Sequence, residues 1–401
     1  MVPLDDSKEN CTGCGACAAY CPHLTMCMDE EGFRYPRVDM AGCSECGRCQ
    51  HLCPMVTGDG TVLKHHAWVA GEISGQSSYP QVYAAWNKNE LIRGESSSGG
   101  VFTLLAQGIL QRGGVVVGAG FGPRLQLCHM AVDTADDLKL LRGSKYLQSD
   151  MVDIIGGIKS FLDRGREVLF SGTPCQVAGL NSSVGGAHEL LLTCDLVCHG
   201  VPSDRLFRNY IQEQEAAHGA AALGISFRDK KSGWKRYSVT IKFANGAVYE
   251  KSSDEDGFMR LFLSDLSLRP SCYVCPFSTI PRQGDITLGD YWGVAAAHPG
   301  IDDDGGVTLV LLNSVQGLEA FETLADLMTV YPSDIRKGVA GNPCIIRPVS
   351  MSPGRRRFMQ DLGDLSMAEL CAQYLLPPSW GERGTARMKR FLSRARNLLY
   401  S

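Results

Sequence analysis

The 401-residue chain has no apolar run long enough to cross a bilayer, and its start, Met1-Val2-Pro3-Leu4-Asp5-Asp6, lacks the basic and apolar pattern of a secretory leader. A membrane-spanning or secreted protein is therefore not expected, and the cytoplasm is. Neither sign of charge dominates: 39 basic residues against 43 acidic ones leave a formal charge of −4, so nucleic acid is not an expected partner. No GxGxxG follows an apolar strand, which disfavours a Rossmann dinucleotide site. Low-complexity tracts are missing, and the one internal repeat is a pair of cysteine strings. Cysteine is what the chain has in plenty. Its 17 thiols, without a secretory signal, point to metal or redox chemistry in a reducing compartment rather than to a disulfide framework.

The two strings are Cys11-Thr-Gly-Cys14-Gly-Ala-Cys17-Ala-Ala-Tyr-Cys21-Pro22 and Cys43-Ser-Glu-Cys46-Gly-Arg-Cys49-Gln-His-Leu-Cys53-Pro54. Both have the iron–sulfur spacing CxxCxxCxxxCP, in which three closely spaced thiolates wrap one cubane and the fourth, before proline, reaches the neighbouring one. The expected sets are Cys11, Cys14, Cys17 and Cys53 for one 4Fe-4S cluster, and Cys43, Cys46, Cys49 and Cys21 for the other. Zinc takes four thiolates per ion and has no use for the repeated spacing.

Residues 1–60 thus read as a ferredoxin-like domain with two clusters, 61–80 as a glycine-rich linker, 81–350 as a second body, and 351–401 as a C-terminal extension. Within the body, apolar strand-like runs at Val115–Ala119, Val168–Phe170, Leu190–Leu192, Ile286–Leu288 and Val307–Leu312 alternate with helical patterns at Val101–Gln111, Val152–Leu162 and Asp204–Ala217. That alternation predicts an α/β body with a mixed, mostly buried sheet. Near Tyr237–Tyr249 strict alternation around Asn245-Gly246 predicts an antiparallel hairpin, so the fold class is α+β / α/β overall.

Outside the ferredoxin-like part, Cys175 follows the strand Val168–Phe170 and opens a helix, where the helix dipole would favour its thiolate. Cys198 ends the run Asp195-Leu196-Val197, and Cys272 and Cys275 form a CxxC before Pro276. These four can meet at one sheet edge and hold a third 4Fe-4S cluster; buried free thiols, a redox disulfide at Cys272 and Cys275, or a zinc site are the alternatives. Cys194 and Cys344 are spare candidates.

Ser96-Ser97-Ser98-Gly99-Gly100 stands just before an apolar helix, a place suited to phosphate, although serine and glycine there also cap helices that bind nothing. A second loop, Gly143 to Ser149, offers Lys145. Asp285 and Asp290 bracket a strand and would orient a cofactor, or would equally cap turn amides. An electron carrier needs an acceptor able to do hydride chemistry, and flavin fills that role.

The order of the cysteine pair, serine–glycine loop, SGTPCQ, CDLVCHGVPS, FRDKKSGWKRYS, CxxCPF and GDITLGDYWG resembles the beta subunits of coenzyme F420 (8-hydroxy-5-deazaflavin) hydrogenases and dehydrogenases and their bacterial relatives, over about residues 1 to 350. The resemblance implies FAD or FMN on the α/β body, a cluster at Cys175, Cys198, Cys272 and Cys275, flavin contacts at Ser96, Ser98, Gly99, Gly100 and Lys145, and two-electron exchange with a deazaflavin or other small organic acceptor. It also implies an electron-donor protein such as ferredoxin or another redox subunit, and some relatives stand beside polysaccharide-synthesis functions. The alternative is a non-catalytic electron-transfer subunit of a larger redox complex.

Three features remain. The basic loop Arg228–Arg236 reads as a solvated hairpin edge, or as a docking place for an acidic substrate with Trp234 as a stacking platform. His199 is a candidate proton donor, or a satisfied structural histidine. Arg383, Arg387, Lys389, Arg390, Arg394 and Arg396, with apolar residues at helical spacing, form a basic amphipathic helix suited to peripheral membrane contact, to a partner, or to packing on its own domain.

Overall fold

The structure is a computed structural model that describes residues 8–58, 60–65 and 80–375. The expected C-terminal basic helix and most of the expected linker lie outside the described residues. Among the described residues, no helix is long and apolar enough to cross a membrane.

The ferredoxin-like part comprises an antiparallel pair, β1 (Leu24–Met28) and β2 (Arg34–Val38), and two short helices, α1 (Ala16–Ala19) and α2 (Arg48–His51), one within each cysteine string. The body is built on β3 (Gln81–Asn87), β4 (Val115–Phe121), β5 (Leu127–Val132), β6 (Val168–Gly172), β7 (Leu191–Leu196), β11 (Ile286–Asp290), β12 (Thr308–Leu312) and β13 (Met328–Ser333). They form one sheet in the order β13-β3-β12-β11-β7-β6-β4-β5. Strands β4, β6, β7 and β11 run parallel at its centre; β5 on one flank, and β12, β3 and β13 on the other, pair antiparallel with their neighbours. This is the expected α/β body with a mixed sheet.

Alternation decides which way each side chain points. Val116, Leu169 and Leu192 join one core, under helix α4 (Val101–Gln111), which follows the short α3 (Glu90–Glu95). Val115, Val117, Val168 and Phe170 join the other, under α5 (Val152–Asp163) and α6 (Pro174–Val184). Both faces are covered, so the central strands read as continuous apolar runs. The flank strands are less legible: β13 contains Pro332, which an edge strand tolerates because no ladder bond needs its missing N–H.

A second, three-stranded antiparallel sheet consists of β8 (Ala222–Asp229), β9 (Ser238–Phe243) and β10 (Val248–Ser252). The predicted hairpin is β9–β10, turning through Gly246 at φ 85°. Helices α7 (Asp204–His218), α8 (Gly257–Leu263), Arg355–Asp361 and Met367–Tyr374 close over this sheet in one apolar core, which also takes in Phe33 of the ferredoxin-like part.

The ferredoxin-like part is seated firmly on the body. Tyr20 packs on the α5–α6 core and bonds Ser183 O, Arg34 pairs with Asp150 at 2.6 Å, and Glu31 pairs with buried Arg355 at 2.6 Å.

Phe258 is completely buried between Phe207, Tyr210 and Phe227. Truncation by Phe258→Ala is expected to lower the unfolding free energy by about 3–5 kcal/mol, read as a lower denaturant midpoint; an unchanged midpoint would show that this core does not hold the second sheet.

Candidate functional site

The first cysteine string turns tightly because Gly13 and Gly15 take left-handed conformations, φ 68° and 82°, which cost glycine little. The turn leaves a cavity lined by Cys11, Cys14, Cys17 and Cys53, together with Met26, Pro54 and Met55. These are the four thiols expected to share a cluster. Burial, then the neighbouring thiols, pushes Cys14 up to about 12 and Cys53 up to about 11. In the second string Gly47 is likewise left-handed and Cys46 is exposed, whereas Cys21, Cys43 and Cys49 are half-buried. Cys46 is held below the usual thiol value, chiefly by a hydrogen bond from the Arg48 amide. The first set is thus the deeper, with Cys14 and Cys17 buried, and the second reaches solvent through Cys46.

The body brings its own four cysteines together. Cys175 stands in the first turn of α6, Cys198 just beyond β7, and Cys272 and Cys275 in and just after the turn Pro270–Val274. Burial raises each thiol, with Cys175 and Cys272 reaching about 12, and the other three add to the rise in Cys198. At Cys175 burial is the largest influence and Cys275 adds to the rise, against a hydrogen bond from Thr173 that lowers it. Among the described residues no three His, Cys, Asp or Glu side chains close tightly enough on a single metal ion. A cubane asks for less, one thiolate per iron at separated corners. Cys194 is buried in the sheet, away from this group, and Cys344 lies 4.0 Å from His199 Nδ1.

These two thiol sets adjoin. A Cβ on Gly179 of α6 would stand 2.9 Å from the Cys14 sulfur, and Gly179 is one helical turn beyond Cys175. Cys53, Cys175 and Cys275 pack together on one apolar knot of Met55, Ala178 and Phe277.

A separate group of residues forms at the start of α4. Gly100, at φ 83°, begins the helix. The Ser96 and Ser98 hydroxyls donate to Ile92 O and Val307 O, and the Gly99 amide donates to Thr308 Oγ1. Ser97 Oγ accepts from the Ser144 amide and contacts its hydroxyl, which ties in the loop carrying Lys145 and Tyr146. Tyr146 OH accepts from Arg228, whose guanidinium pairs with Asp290 at 2.6 Å, and Lys230 donates back to Ser98 O. The ring of contacts is rich in cations, and Arg228 Nε and Nη2 are buried without hydrogen-bond partners, the guanidinium lying over the Tyr237 ring at 4.2 Å.

Asp285 does not join it. It sits just before the opposite end of β11, where its carboxylate accepts from Thr193 and Ser314. The loop Arg228–Arg236 is not simply a solvated edge: Arg228 is buried, and Trp234, 1% exposed, stacks on Trp292 at 4.9 Å, so it offers no platform to a ligand. The sequence hid this because Lys231, Lys235 and Arg236, its neighbours, are exposed. His199 Nε2 meets Asp265 at 2.6 Å; burial opposes its charge, but Asp265 and Cys344 raise it to about 9. A further residue passed over in the sequence is Arg269, completely buried and touching Cys11; its apolar neighbours Leu266, Leu268 and Pro270 were the available signal.

The pattern SGTPCQ through GDITLGDYWG thus lies on the sheet and turns that carry both groups. The family described as "Coenzyme F420 hydrogenase/dehydrogenase, beta subunit" matches the body in two pieces, its N-terminal part over residues 82–156 and its C-terminal part over 165–335, more than half of the chain together. The chain belongs to this beta-subunit family. A 4Fe-4S dicluster domain matches residues 10–56, so this member of the family is an iron–sulfur electron-transfer oxidoreductase. No curated protein matches the sequence. Among solved structures, a chain from the xenon-derivatised F420-reducing nickel–iron hydrogenase complex of Methanosarcina barkeri is similar at 16% identity and a TM-score of 0.45, covering 71% of this chain and 88% of that one.

Burial holds Lys145 at about 7, below its value in an unfolded chain, so folding is penalised wherever the unfolded chain holds the proton that the buried amine gives up or bears at a cost. The penalty is absent above about pH 10.5, where both states are neutral, and grows as pH falls to about 7. The stability gap between Lys145→Met and the wild type is expected to widen over that interval in denaturant titrations at stepped pH; parallel curves would show that Lys145 titrates normally.

Proposed function

We propose that the protein passes electrons between the ferredoxin-type clusters and a flavin on the body, which reduces or oxidises a deazaflavin or other small organic acceptor. The observation that carries this reading is the shared knot at Cys53, Cys175 and Cys275, backed by the contact of Cys14 with Gly179. When bound, iron–sulfur clusters exchange single electrons and a flavin exchanges a pair with a hydride.

The residues fit the iron–sulfur groups. Cys11, Cys14, Cys17 and Cys53 line one cavity, Cys43, Cys46, Cys49 and Cys21 would hold the second cluster near the surface, and Cys175, Cys198, Cys272 and Cys275 a third in the body. The exposed set suits exchange with an electron-donor protein such as ferredoxin or another redox subunit. Cys53 of the deeper set packs with Met55 and Phe277, which would keep water from the route inward.

For the flavin, the fit rests on the two unpartnered nitrogens of buried Arg228. Arg228, Lys145 and the Gly100 amide would bind an anionic cofactor, with Gly99 held in place by its bond to Thr308. Asp290 holds the Arg228 guanidinium in place through its 2.6 Å pair. His199, beside Cys198 and oriented by Asp265, would hold a proton next to the body's thiols. We place the chemistry in the cytoplasm, where thiols stay reduced.

Anaerobic reconstitution followed by iron and flavin assays tests this. About twelve iron atoms and about one flavin per chain are expected, and Cys272→Ala should lose about four of the irons while keeping the rest. About eight irons and no bound flavin in the wild type would reduce the protein to a carrier without the proposed body chemistry.

A further inference from the structure

We propose that Arg269 is the buried counter-charge of the thiolate shell at Cys11, and that it sets the reduction potential of the ferredoxin's first cluster. This rests on reading Cys11, Cys14, Cys17 and Cys53 as ligands.

Five arginines are buried among the described residues, and four of them have a carboxylate: Arg93 with Asp303, Arg228 with Asp290, Arg282 with Asp195, and Arg355 with Glu31, at 2.6 to 3.3 Å. The fifth, Arg269, is 0% exposed and has none. Its guanidinium donates to Cys11 O at 2.8 Å, Gln148 Oε1 at 3.0 Å and Arg34 O at 2.9 Å, and Nη2 stands 3.7 Å from Cys11 Sγ. All of these partners are neutral in a thiol state. Burying an unpaired cation is costly unless an opposite charge arrives, and iron held by four thiolates supplies one, since such a shell carries net negative charge.

The surroundings are shaped for that cation. The Tyr35 ring lies under it at 4.2 Å, and Gly13 leaves the room that a Cβ, 2.7 Å from Nη1, would take. The main chain of the same residue is fixed to the body: Arg269 N donates to Val201 O and its carbonyl accepts from Cys272 N. One residue therefore joins the loops carrying Cys198 and Cys272 to the sulfur of Cys11.

Net charge and hydrogen bonds to sulfur are what move a cluster's potential. The step is uptake of one electron, with no bond made or broken, and added negative charge is stabilised by the fixed cation. Loss of that cation disfavours the reduced form.

The test is an anaerobic EPR-monitored titration of the full chain, with dithionite as the electron source. In Arg269→Met the first cluster should become at least tenfold harder to reduce, a shift of about 59 mV for a one-electron couple, while Arg269→Lys recovers most of it. The cluster of the exposed Cys43–Cys49 loop should not move. An unchanged potential in Arg269→Met at full iron content overturns the proposal, whereas absence of iron from the wild type overturns the ligand reading instead. If Arg269→Met loses its iron, wild-type protein labelled with 15N-arginine decides by pulsed EPR: a 15N coupling to the reduced cluster sustains the proposal, and its absence overturns it.

Discussion

Helix α6 lacks a side chain at Gly179, and into that gap comes the sulfur of Cys14. Tunnelling falls steeply with distance, so an electron route between two domains depends on how closely their thiol sets approach. Here the approach is set by packing: a helix that begins at the end of β6 presents Cys175 in its first turn and a bare backbone one turn on, a rise of about 6 Å. The pairs Arg34–Asp150 and Glu31–Arg355, with the bonds from Arg269, then hold the ferredoxin-like part in that seat. A larger residue at position 179 would collide with Cys14 and push the two sets apart.

Buried charge is the second organising constraint. Interior arginines are normally matched by carboxylates, as Arg228 is by Asp290, because an unmatched charge in a low-dielectric interior is expensive. Where the match is incomplete, the structure marks a place that expects something negative. Among the described residues Arg269 has no acid, and Arg228 keeps two nitrogens without hydrogen-bond partners. The first stands at the interior thiol cavity and the second in the ring of contacts at the start of α4. The proposed cluster and the proposed flavin fall at these two points.

Much of this was legible in the sequence because the chemistry demands rigid local patterns. The CxxCxxCxxxCP strings fixed the grouping seen in the cavity, and the runs Val115–Val117 and Val168–Phe170 announced central strands because both faces are buried. Edge strands carried weaker signals, as β13 shows with Pro332. The four body cysteines were recognisable singly, but their meeting is a matter of topology, since β6, β7 and the Pro270–Val274 turn converge only in the folded sheet. Asp285, left open between orienting a cofactor and capping amides, caps the Thr193 amide: five residues before Asp290, it lies at the other end of a strand. Burial of Arg228 and Trp234 was concealed by the exposed lysines around them.

The central claim is that the ferredoxin's interior thiol set and the body's set lie side by side. The most direct measurement is low-temperature EPR of the fully reduced, reconstituted protein at two microwave frequencies, compared with a Cys272→Ala sample. The account predicts a magnetically coupled pair of clusters, with frequency-independent splittings that disappear in Cys272→Ala; uncoupled signals in a sample with full iron content would contradict it.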